Sequence, residues 1–130
     1  MPQTVRVVIA DDHALVRSGF AAILDAVDGI EVVAQASDGP EAVDRTLEHD
    51  PDVLLLDLEM PGGDGLTAAE EILGRAPRTK VVVLTTFDLD EYVHRALRLG
   101  VAGFLLKTSE PGVLVDTVLA VARGESRFSD

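Results

Sequence analysis

A chain of 130 residues with 47% apolar content has the size and composition of one ordinary domain with a single buried core. It has no cysteine, which excludes disulfides and thiolate metal sites and points to a reducing cytosol. No apolar run is long enough for a membrane span, and Met1–Arg6 lacks the pattern of an export signal. With 23 acidic against 11 basic residues the net charge is -12, a surface that repels nucleic-acid phosphates and leaves clustered carboxylates for a cation as the sharper reading.

Taken in chain order, Val5–Ala10 (VRVVIA) reads as a buried strand, and His13–Ala26 as a helix with Val16, Phe20, Ile23 and Val27 at helical spacing. Ile30–Ala36 is a more alternating strand, as expected nearer a sheet edge. Ser37 or Asp38 caps a helix over Pro40–Glu48, and Pro51 ends that region. Asp52–Asp57 (DVLLLD) is apolar on both faces and therefore central. Met60–Gly65 is a loop dense in turn residues, and Leu66–Arg75 is the next helix. Lys80–Thr85 is a strand, Asp88–Leu99 a helix closed by Gly100, and Gly103–Leu106 a short fifth strand. Ser109–Arg123 is the last helix, with Ser109 as cap and Pro111 in the first turn. Gly124–Asp130 is a polar tail with the composition of a linker. Strict alternation of buried strands with helices predicts an α/β fold, a five-stranded parallel sheet covered on both faces in three layers.

Chemistry collects at the strand ends. Asp11 and Asp12 follow strand one, Asp57 ends strand three, Thr85 and Thr86 close strand four, and Lys107 follows strand five. In an open parallel sheet of order 2-1-3-4-5, ligands bind beyond the carboxyl ends of the strands where the order reverses, between strands one and three. Each residue alone has an ordinary explanation: an Asp pair caps helices, an Asp before a turn starts it, a strand Thr is common, and a Lys is commonly on the surface. Together at four strand ends they make a set. Crowded carboxylates repel one another unless a cation lies among them, and oxygen-only donors suit Mg²⁺. A Lys pairs with an anion as a point charge, and a Thr hydroxyl donates to a phosphate oxygen. Such a set serves phosphoryl transfer, with a carboxylate as nucleophile.

The stretches DDHALVRSGF, LLLDLEMPGGDG, LTTFDLDEYVHRALRLGVAGFLLK and AVARGES resemble the receiver domain of two-component response regulators, NarL/FixJ-type subfamily, over about residues 4–123. The resemblance implies a flavodoxin-like (βα)5 fold over 1–123, with 124–130 as a tail or the start of a linker. It implies a cytoplasmic signalling switch rather than an enzyme. Asp57 would take a phosphoryl group from a sensor histidine kinase; Asp12, Asp57 and the backbone carbonyl of Glu59 would ligate Mg²⁺, with Asp11 acting through water. Lys107 would pair with Asp57, Thr85 would move to the phosphate, and Phe104 would swing inward. The last helix carries Val113, Leu114, Val115, Val118, Leu119, Val121 and Ala122, more apolar surface than one core face needs, and the excess suggests a homodimer through that helix or the 88–107 face. The resemblance further implies an output, DNA-binding helix-turn-helix domain that lies outside this chain. The Glu59 side chain and Thr86 are read as tuning residues, with Thr86 slowing self-dephosphorylation. His13 reads first as a first-turn helix residue and second as a neighbour of the site; His49 and His94 read as surface positions.

The sequence departs from the common receiver pattern in two places. Thr108 stands where many receivers have Pro, so a cis peptide there would cost roughly 3 kcal/mol without proline's help, and the isomer stays open. Phe104 stands where Tyr is frequent, which removes a hydroxyl. Rival functions fit less well. A haloacid-dehalogenase-type phosphatase wants a second Asp where Glu59 stands, and a flavodoxin-like FMN protein wants a phosphate loop where Asp11 and Asp12 stand. A degenerate receiver that only mediates contacts would not need the complete acidic, Thr and Lys set.

Overall fold

A computed structural model describes residues 4–60, 65–86 and 91–128. Strands and helices alternate as β1 (Val5–Ala10), α1 (Ala14–Asp25), β2 (Ile30–Ala36), α2 (Gly39–His49), β3 (Val53–Asp57), α3 (Gly65–Arg75), β4 (Lys80–Thr85), α4 (Glu91–Leu99), β5 (Gly103–Leu106) and α5 (Pro111–Ala122). The sheet runs β2-β1-β3-β4-β5 and every neighbouring pair is parallel. β3 is buried at every position, which is why its VLLLD carries no alternation: both of its faces meet apolar layers.

Strand periodicity splits the core in two. Val8, Ala10, Leu54, Leu56, Val81, Val83 and Phe104 pack on one face with α2, α3 and α4. Val7, Ile9, Val53, Leu55, Val82, Leu84 and Leu105 pack on the other with α1 and α5. Each fully buried Leu or Ile contributes about 1.5–3 kcal/mol through removal from water, so the two layers together hold the sheet between them.

Register, more than composition, builds the rim. Ala10 pairs with Leu56, which sets Asp11 level with Asp57. Asp57 pairs with Leu84 and Thr85 with Leu106, so Lys107 follows one step beyond.

Local signals set most boundaries. Asp38 caps α2 by accepting the Glu41 N–H at 2.8 Å, Glu41 reaches back to the Ser37 N–H at 2.7 Å, and Asp50 ends the helix in the left-handed region at φ 47°. The expected Ser109 cap of the last helix is corrected. α5 starts at Pro111 with extended Glu110 before it and no side-chain cap, while Ser109 N–H donates to Leu106 O at 2.9 Å in the turn closing β5. Pro111 explains this: its ring presets φ for a first helical residue, and it drives the preceding residue out of the helical region. No peptide bond is cis among the described residues, so Lys107–Thr108 is trans.

The tail also differs from a free linker. Beyond Gly124, Arg127 pairs with Gly103 on the outer edge of β5, donating its N–H to Ala102 O at 2.9 Å and accepting the Phe104 N–H at 3.0 Å. A Cβ on Gly103 would lie 2.4 Å from Arg127 O, so only glycine admits this approach. Residues 129–130 lie outside the described set. Among the described residues no helix is long and apolar enough to cross a membrane.

Candidate functional site

The strand ends deliver Asp11, Asp12, Asp57 and Lys107 to one place. Asp11 and Asp57 are fully buried, and the Lys107 side chain is 7% exposed. Lys107 Nζ donates to Asp57 Oδ2 at 2.9 Å and lies 3.1 Å from Asp11 Oδ2. The other Asp57 oxygen, Oδ1, accepts the Glu59 N–H at 2.9 Å, a short turn that begins the loop after β3. Asp11 Oδ1 accepts the His13 N–H at 2.7 Å, so this acid also shapes the entry to α1.

Among the described residues three buried side-chain oxygens stay without a hydrogen bond: Thr46 Oγ1 in α2, away from this site, Asp12 Oδ1, and Asp11 Oδ2, which meets Lys107 as an ion pair. Two carboxylates, Asp11 and Asp57, thus crowd around one ammonium, with Asp12 in the same cluster. Burial is the largest influence on Asp57 and raises its pKa. The Lys107 hydrogen bond and the Glu59 amide pull it back, the Asp11 charge pushes it up again, and the net direction is up. For Lys107 burial is again largest and lowers the value, but the hydrogen bond and charge of Asp57, with the Asp11 carboxylate beside it, outweigh it and hold the ammonium above its usual range. The two partners differ because Asp57 shares its burial with a like charge, whereas Lys107 faces two opposite ones.

A hard divalent cation fits this arrangement. Asp11, Asp12, His13 and Asp57 each offer a donor atom, all within 4.8 Å of one another, and the buried oxygens without a hydrogen bond are free to coordinate.

The remaining predicted residues fall around this centre. Thr85 is buried at the end of β4, and its carbonyl accepts the Lys107 N–H at 2.8 Å. Thr86 and the Glu59 side chain are exposed. Phe104 is 7% exposed and already packed in the α2–α4 face of the core, not poised outside it. Asp88 lies outside the described residues, so the 88–107 face is seen from Glu91 onward. The apolar excess of the last helix is largely absorbed by the core, leaving Val113 exposed and Val115 and Leu119 half-buried. His94 is exposed and His49 half-buried.

Three residues carry more than their sequence signal suggested. His13 caps α1 with its backbone, yet its ring Nδ1 lies 3.2 Å from Asp11 Oδ1, 3.4 Å from Asp12 Oδ1 and 3.2 Å from Lys107 Nζ. Arg17, one turn further, donates to the Asp11 carbonyl at 2.6 Å and to Gln35 at 3.2 Å, clamping the backbone that carries the acidic pair. A Cβ on Gly65 would meet Leu58 Cα at 2.5 Å and Asp57 O at 2.6 Å, so glycine lets α3 begin directly against the end of β3. The spacing of His13 and Arg17 is visible in the sequence; the direction of their side chains is not.

The sequence model of the family described as "Response regulator receiver domain" matches residues 7–119. The chain is 48% identical over 123 residues to the oxygen regulatory protein NreC of Staphylococcus epidermidis, covering 94% of this chain and 56% of that protein. It is 43% identical over 124 residues to the transcriptional regulatory protein YxjL of Bacillus subtilis, covering 95% of this chain and 57% of that one. The chain therefore spans little more than half the length of these curated relatives. Among solved structures, the signal receiver domain of NarL from Mycobacterium tuberculosis superposes with a TM-score of 0.90 at 40% identity, covering 95% of this chain and 100% of that one. The isolated receiver domain of RcsB from Salmonella enterica serovar Typhimurium, solved with the phosphomimetic BeF3-, gives 0.88 at 29% identity, covering 98% and 95%.

Proposed function

From the premise that the chain belongs to the response regulator receiver domain family, a family of signalling proteins, we propose that it is a phosphorylation-operated switch with Asp57 as the phosphoryl acceptor. The observation that carries the reading is the buried Asp57 at the end of β3, held at 2.9 Å by Lys107 and crowded by Asp11.

The donor in this reading is a phosphohistidine on a sensor kinase. An Asp57 carboxylate oxygen attacks phosphorus, the P–O bond forms, the P–N bond breaks, and its electron pair returns to the imidazole nitrogen. Asp57 must be ionised to attack, and burial opposes that; Lys107 supplies the opposing charge. Asp11, Asp12, Asp57 and the Glu59 carbonyl would hold Mg²⁺, which neutralises charge on the transferred group. Lys107 then shifts its pairing from Asp57 to the phosphoryl oxygens, and the Thr85 hydroxyl donates to them. Thr85 sits at the end of β4, beside β5 and Phe104, so its movement alters the surface from Glu91 to Lys107. That surface, or α5 with its exposed Val113, serves a homodimer contact that controls an output, DNA-binding domain. Such a domain would account for the longer curated relatives, one of which is described as a transcriptional regulator. The setting in this reading is the cytoplasm.

Incubation with acetyl phosphate or phosphoramidate and Mg²⁺, followed by intact mass, tests the reading. Wild type gains one phosphoryl group and Asp57→Asn gains none; an unlabelled wild type, or label that survives in Asp57→Asn, overturns it. In this reading Thr86 hinders the attacking water and the Glu59 carboxylate tunes water or Mg²⁺, so the label decays slowly, and a half-life of a few seconds contradicts that part.

A further inference from the structure

We propose that residues 125–128 form a detachable strap on β5 whose docking is coupled to occupation of the rim at Asp57: a phosphoryl group there tightens the docked strap, and the docked strap tightens the rim's hold on a phosphoryl group. The proposal rests on the reading of Asp57 as phosphoryl acceptor. It extends that reading to a segment beyond the family match, which ends at residue 119.

The chain turns back on itself to reach this place. Gly124 closes α5 in the left-handed region at φ 95°, its N–H donating to Val121 O at 2.9 Å while Glu125 N–H donates to Ala120 O at 3.1 Å. Arg127 then runs parallel to Gly103. Its N–H donates to Ala102 O at 2.9 Å, and its carbonyl accepts the Phe104 N–H at 3.0 Å. These two main-chain bonds carry the docking. The Arg127 guanidinium also meets Asp116 at 2.8 Å and Glu125 at 3.1 Å, but both pairs face solvent and contribute little. The fit is steric as well. The three atoms that a Cβ on Gly103 would meet most closely all belong to the Arg127 main chain, its carbonyl oxygen at 2.4 Å.

The strap and the rim share one short strand. β5 has four residues, and β4 is its neighbour in the sheet. The strap binds it at Ala102 and Phe104. Just beyond its other end, Lys107 donates its side chain to Asp57 Oδ2 at 2.9 Å and its N–H to Thr85 O at 2.8 Å. A phosphoryl group bonded by both Lys107 and Thr85 ties the carboxyl ends of β5 and β4 through one ligand. Ordering a segment costs conformational entropy, so whichever partner orders β5 first lowers the cost for the other. The coupling is therefore positive and needs no change in mean structure. It is also reciprocal: the factor by which a rim ligand tightens the strap is the factor by which the strap tightens that ligand.

The test uses the whole 130-residue chain in saturating Mg²⁺. Amide hydrogen exchange is followed by NMR with and without beryllofluoride, the phosphoryl mimic present with the RcsB receiver domain, and beryllofluoride affinity is measured by calorimetry. Gly103→Ala drives a methyl group into the Arg127 carbonyl; Arg127→Pro removes the N–H that Ala102 O accepts. One variant acts from β5 and the other from the strap. Expected is an exchange at the Arg127 and Phe104 amides that slows about fivefold or more when beryllofluoride binds wild type. The Asp50 N–H, at the far end of α2, is unchanged. Both variants bind beryllofluoride more weakly by the same factor, whereas Arg127→Ala, which keeps both main-chain bonds, binds as wild type does. Unchanged exchange at Arg127 and Phe104, or wild-type affinity in both variants, overturns the coupling and leaves the switch reading standing. Weaker binding in Gly103→Ala alone does the same, because it places the effect in β5 rather than in the strap. A wild type that binds no beryllofluoride, or an Asp57→Asn variant that binds it equally well, overturns both.

Discussion

At the amino ends of the strands, polar residues are answered by partners. Asp52 accepts the Arg6 N–H at 2.8 Å and gives its carbonyl to Lys80 N–H at 2.9 Å. Buried Thr79 donates its hydroxyl to Pro51 O at 2.8 Å, and the Arg6 guanidinium reaches the carbonyls of His49 and Asp50. At the carboxyl ends of the same strands, Asp12 keeps a buried oxygen without a hydrogen bond, and Asp11 and Asp57 share one lysine. A buried polar atom left without a partner costs about 1–3 kcal/mol, so the second arrangement persists against stability. The lower end fastens the strands; the upper end keeps bonding capacity in reserve for a ligand.

The contrast can be broken hardest at Lys107. Lys107→Ala leaves Asp11 and Asp57 buried without their counter-charge, and the metal-free protein loses about 3 kcal/mol. Added Mg²⁺ restores more stability to this variant than to wild type, as thermal melts with and without the ion will report; equal ion effects would mean that the lysine does not stand in for a cation. At the other end Asp52→Ala removes the acceptor for Arg6 N–H and costs about 1–2 kcal/mol, while labelling by acetyl phosphate proceeds at the wild-type rate.

Asp57→Asn sharpens the comparison from the other side, because here a polar change stabilises. It raises stability at pH 7 by on the order of 1 kcal/mol, a few degrees in Tm. The sign follows from burial raising the Asp57 pKa in the folded state: the fold binds the proton more tightly than the unfolded chain does. Stability therefore falls as pH rises from the unfolded value, about 3.9, through the folded one, and the penalty persists above it. Melts of both proteins across pH should converge at acid pH and part as pH rises; a wild type more stable at neutral pH would show that the Lys107 pair outweighs burial. The smallest change expected is Thr79→Val, about 1 kcal/mol or less, with no effect on labelling.

Much of this was legible in the sequence because apolar runs report burial directly. The unbroken LLL of β3 marks a central strand, and the placing of Asp11, Asp57, Thr85 and Lys107 at strand ends marks the rim. What was not legible depends on direction or on distant pairing. Whether His13 turns its ring toward Asp11 or away follows from its side-chain rotamer, which the neighbouring sequence does not dictate. Ser109 carried the residue type of a cap, but Pro111 fixed the helix start one step later. The pairing of Arg127 with Gly103 is made by main chain, so no side-chain pattern announces it.

That last pairing has a consequence for colloidal behaviour. An open strand edge is a template on which another chain can add, and Arg127 occupies the one beyond β5 with two main-chain hydrogen bonds. The opposite edge, β2, is guarded differently, by exposed Glu31 and Gln35. A chain cut after Arg123 would bare the Ala102 carbonyl and the Phe104 amide, and there the molecule would begin to aggregate.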